Sequence, residues 1–131
     1  MRYLLAYLGS GVVMAILDAV WLTTVGPRLY RPAIGELLAP EANLRVAVVF
    51  YVIYVAGIVF LAVLPAIRES SALRAVTSGA MLGLVAYATY DLTNQATLRV
   101  WPLHITLIDV AWGTFVTAAA ALGGYWLAGR A

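Results

Sequence analysis

At 131 residues, with 64% hydrophobic and only 11% charged side chains, the chain is too apolar for a water-soluble domain, in which charge approaches about a quarter of all residues. The absence of cysteine excludes disulfides, thiolate metal sites and cysteine nucleophiles. The net charge of +2 comes from scattered arginines with no lysine, so there is no basic patch and no nucleic-acid partner is expected.

Four apolar runs organise the chain, each with the roughly 20 residues that a helix needs to cross ~30 Å of hydrocarbon. The first is Tyr3 to Val25. Arg2 ahead of an apolar run resembles a secretion signal, but Asp18 interrupts it and no convincing small-residue cleavage site follows, so a retained helix is expected. The segment "GPRLYRPAIGELLAPEANLR", Gly26 to Arg45, is the one substantial loop, and its "AIGELLA" can form one or two turns of interfacial helix. Val46 to Ile67 is the second span, contributing Tyr51 and Tyr54 but no charge, and is read as a packing element. A tight polar turn, "RESSALR", leads to the third span, Leu73 to Ala96. The turn "RVWPL", with Trp101 and Pro102 at headgroup level, leads to the fourth, Leu103 to Leu127. The fold class expected is all-α: a polytopic four-transmembrane-helix bundle forming a single membrane domain over residues 1–131, with the lipid bilayer as its first partner. Arg2, Arg68, Arg74 and Arg130 lie on one side and Arg28, Arg31, Arg45 and Arg99 on the other. With the two sides tied, the positive-inside rule gives no orientation.

Against this background "YDLTNQATLRVWPLHITLIDVAWG", Tyr90 to Gly113, stands out because it puts Asp91 and Asp109 inside apolar helices. Asp18 near the end of the first span, Asp91 near the end of the third and Asp109 near the start of the fourth all fall roughly 10–12 Å below the same membrane surface. An intramembrane Asp costs ~2.5–3.5 kcal/mol on insertion scales, so three at one depth are too costly to be accidental. Gly79, Gly83, Tyr87, Asp91 and Gln95 form an i, i+4 ridge, with Asn94 beside it; the glycines permit close helix approach. Gly11, Ala15, Asp18 and Leu22 share a face of the first helix, with Trp21 adjacent, and Thr106, Asp109, Trp112 and Gly113 cluster on the fourth. Asp-x-x-Trp occurs on both, placing an indole N–H one turn from each carboxyl.

The candidates for binding a ligand or a proton are therefore Asp18, Trp21, Tyr87, Tyr90, Asp91, Asn94, Asp109 and Trp112. Asn94, Tyr87 and Thr106 are the groups within reach of the carboxyls if these serve only as structural glue. No cofactor and no metal are expected; a cation held by the three carboxyls would need His104, which follows Pro102 near the interface and reads as a surface residue.

The "LDAVWL" and "YDLTNQATLRVWPLHITLIDVAWG" motifs give the chain a resemblance, over almost its whole length, to DUF2177, a family of small predicted bacterial membrane proteins. The matching positions are Asp18, Trp21, Tyr90, Asp91, Thr93, Asn94, Trp101, Pro102, Asp109, Trp112 and Gly113. The resemblance implies a four-span layout in a bacterial inner (cytoplasmic) membrane and brings no reaction, substrate or cofactor. Three functions remain open. One is a binder or transporter of a small or amphipathic ligand, which as a transporter of only four spans would need a homodimer. Another is a membrane-embedded enzyme acting on a lipid or isoprenoid, with Asp91 or Asp109 as acid or base. The third is an assembly subunit whose polar residues pair with a partner.

Overall fold

The four apolar runs form four long helices, which the computed structural model, describing residues 1–129, bounds within two residues of the sequence expectation at every end. Helix α1 is Arg2–Thr24, α3 is Leu44–Arg68, α4 is Ala72–Thr97 and α5 is Leu103–Gly129; the short α2, Gly26–Ile34, lies between the first two. The chain is an all-α membrane protein with four spanning helices. Arg130, counted in the charge tie, lies outside the described residues.

Helix α5 is the centre of the bundle, with α1 and α4 both packed along it. Its small residues explain this. Gly113, Thr117, Ala120, Ala121 and Gly124 are buried at spacings of three and four, giving a broad stripe on which two neighbours can settle. A Cβ on Gly79 of α4 would stand 2.8 Å from the Ala121 Cβ, and one on Gly9 of α1 would stand 2.8 Å from the Gly123 carbonyl oxygen. The i, i+4 ridge on α4 is thus a helix-packing seam, as its glycines suggest. The face expected on α1 is different. Ala15 and Leu22 are exposed, and the buried stripe is Ala6, Ser10, Met14 and Asp18. Gly11 faces α3, where a Cβ would stand 3.8 Å from Val55 Cγ1, and the α5 contact sits on the stripe containing Gly9 and Ser10.

Helix α3 widens into a π turn over Val59–Val63. Pro65 has no N–H for the Leu61 carbonyl, and the ladder loosens just before it. On the same membrane side as the α1 N-terminus, the α3–α4 turn places Ser70 at φ 50° and lets the Ser71 Oγ accept from the Arg74 N–H at 3.0 Å.

The connection after α1 departs from the sequence expectation. "AIGELLA" does not form the interfacial helix; it supplies only the end of α2 and a 3₁₀ turn at Gly35–Leu37. The helix begins earlier because Pro27 falls in its first turn, where a missing N–H costs nothing. Arg28 and Arg31 are exposed, while Tyr30 and Ile34, four apart, turn toward the bundle.

Candidate functional site

Asp18, Asp91 and Asp109 are all buried at the end of the bundle that α2 covers. Their partners are not those the sequence suggests. The Tyr51 hydroxyl of α3 donates to Asp18 Oδ2 at 2.5 Å, and the Trp112 indole of α5 donates to Asp18 Oδ1 at 3.0 Å. The Tyr30 hydroxyl of α2 donates to Asp109 Oδ1 at 2.5 Å and itself accepts from the Trp21 indole at 2.9 Å. The two Asp-x-x-Trp turns are therefore crossed. The Trp following Asp109 serves Asp18, and the Trp following Asp18 serves Asp109 through Tyr30. The indoles stack between them, with ring centroids 4.3 Å apart and planes inclined by 11°.

Tyr87, Asn94 and Thr106 make no hydrogen bond to a carboxyl. The Tyr87 ring occupies the space left by the missing side chain of Gly113 and meets Tyr54 edge-on at 6.4 Å. Thr106 is engaged by the Trp101 indole at 3.2 Å. Asp91 is fully buried, and neither of its carboxyl oxygens has a hydrogen-bond partner. The three carboxyls share an end of the bundle without converging on one point, and among the described residues no group of three His, Asp or Glu side chains could hold a metal ion. His104 is exposed.

These side chains line a cavity of about 850 Å³ between the spanning helices and α2. Asp18 and Asp109 form its polar floor. Trp21, Trp112, Tyr51, Tyr54 and Tyr87 wall it, and α2 with Leu38 to Pro40 roofs it. Tyr90 lines the rim, 58% exposed and edge-on to Trp101 at 5.7 Å. Asp91 and the half-buried Asn94 lie outside the lining. Tyr30, outside the four spans, has its phenol pushed well above the usual tyrosine range, first by burial and then by its hydrogen bond to Asp109.

A family model described as a predicted membrane protein matches residues 3–126, nearly the whole chain. The chain belongs to the DUF2177 family. No curated protein and no solved structure matches it.

Two residues central to this DUF2177 site do not stand out in the sequence. Tyr51 reads as a packing residue because α3 has no charge within its apolar run, yet it supplies the shorter hydrogen bond to Asp18. Tyr30 is hidden because it lies in a proline-rich connection. Its signal is the pairing with Ile34 four residues on, opposite Arg28 and Arg31, which is the pattern of a helix with one buried face.

Proposed function

We propose that this DUF2177 protein binds a small amphipathic ligand in the cavity beneath α2. The observation that supports this is the combination of about 850 Å³ of space with two carboxyl groups already oriented by hydrogen bonds from side chains on α2, α3 and α5. Ligand sites are mostly apolar clefts of roughly 300–1,000 Å³ with a few fixed polar groups, and this cavity has that make-up. The setting is a bacterial inner membrane, as the family resemblance implies, and transport across it would require a second copy, because four spans enclose little more than one site.

Trp21, Trp101 and Trp112 line the cavity, whereas Trp126 is exposed at the other end, so fluorescence reads occupancy. With Trp126→Phe as background, a brominated single-tailed amphiphile should quench emission saturably. Quenching that only rises in proportion to amphiphile, as for partition into the micelle, would refute the reading.

A second reading, an enzyme acting on a lipid or isoprenoid, is favoured by Asp109, a carboxyl that lines the cavity and is placed to serve as acid or base. A modified lipid in cells expressing the protein, absent with Asp109→Asn, is its expected signature.

A further inference from the structure

We propose that the cavity selects an amphiphile whose head carries an amine or quaternary ammonium; the inference rests on the ligand-binding reading above. Tyr51 and Trp112 each donate to one oxygen of Asp18, which fixes its carboxyl in the cavity as an acceptor group. No arginine pairs with it among the described residues. Among the described residues the one ion pair is Arg74–Glu69, in the turn at the opposite end of the bundle. Asp109 adds a second acceptor on the same floor. A buried carboxylate without a counter-charge is costly in a bilayer, and a ligand cation would offset that cost.

The walls suit the same charge. The rings of Trp21, Trp112 and Tyr51 line the cavity; the two indoles cover one face of each other, and a cation over an aromatic face left open is attracted more strongly once desolvated. An anionic head would meet two carboxyl groups at low dielectric, with only the exposed Arg31 at the rim to compensate. The rim also fixes where a tail would run. Leu22 and Phe50 line the cavity and are 56% and 46% exposed toward the bilayer, so an alkyl chain leaves among lipid tails while the head stays inside.

The test uses the whole protein in neutral maltoside micelles and three probes of equal tail length: tetradecyltrimethylammonium, tetradecyl sulfate and a myristoyl lysophosphatidylcholine. The trimethylammonium probe is expected to bind saturably, at least about tenfold more tightly than the sulfate. Asp18→Asn keeps an acceptor for Tyr51 and Trp112 and should shrink that ratio several-fold. Should this variant fail to fold, the wild-type ratio alone decides the question. Tighter binding of the lysophospholipid assigns the head to a membrane lipid, its phosphate beside Arg31, and weaker binding assigns it to a free amphiphilic cation. Equal affinity for ammonium and sulfate overturns the charge selectivity and leaves the ligand-binding reading standing. Absence of saturable binding by any probe overturns both.

Discussion

Replacing Gly83 with alanine tests whether the α4–α5 seam sets the shape of the bundle and, through it, the floor of the cavity. A Cβ at Gly83 would stand 2.8 Å from both the Cβ and Oγ1 of Thr117, and closer still to the Gly113 carbonyl oxygen. Non-bonded carbon atoms prefer about 3.5–4.0 Å, so α4 would have to retreat by roughly 1 Å. Part of the obstacle is backbone, and no side-chain rotation relieves it. Overpacking of this kind costs about 1–3 kcal/mol. The displaced Thr117 hydroxyl also shares a 2.9 Å hydrogen bond with Tyr54, and weakening it adds about 1 kcal/mol. The better helix propensity of alanine returns about 1 kcal/mol. The net expectation is a loss of about 1–3 kcal/mol. Gly57→Ala is the control: nothing lies within 4 Å of a Cβ there, so only the propensity gain remains. Thermal unfolding in detergent, followed by tryptophan emission, compares the two. If Gly83→Ala melts with Gly57→Ala at or above the parent, the close approach of α4 to α5 is wrong.

Tyr30→Phe leaves the Trp21 indole without its acceptor and Asp109 without its hydroxyl donor; a loss of about 1–3 kcal/mol should appear as faster tryptic cleavage after Arg28. Because burial and Asp109 raise the Tyr30 phenol, its contact is fully present below the ordinary tyrosine value of about 10 and is lost as pH rises from there toward its own higher value. Trp21 emission should therefore stay constant up to about pH 10 and change only above it; a change near neutrality would contradict the assignment. Tyr51→Phe should cost about 1–2 kcal/mol by leaving Asp18 with one donor, and Trp112→Phe in the same background should cost more than it does alone. Thermal unfolding of the two single variants and the double variant checks this. Ser70→Gly removes a left-handed non-glycine residue and should raise the melting temperature by the equivalent of up to about 1 kcal/mol, with no such gain from Ser70→Ala.

The spans were legible because an apolar run of membrane length has one stable conformation in lipid, a helix, and its ends are marked by arginine, proline and polar turns. That Asp18, Asp91 and Asp109 fall at one end of the bundle was legible too, since it follows from helix rise and alternating direction alone. So was the seam at Gly79 and Gly83, where only the absence of a side chain admits a neighbour. Which donor meets which carboxyl was not legible. Spacing along a helix gives the neighbours of Asp18 on α1, but its actual partners come from α3 and α5, at sequence separations of 33 and 94. The rotation of each helix about its own axis decides those meetings, and that rotation is set by the packing of small residues on α5. The same holds for α2. Its amphipathic pattern was present in the sequence, but only the bundle beneath it supplies Asp109 and Trp21, the groups that turn a proline-rich connection into the roof of a cavity.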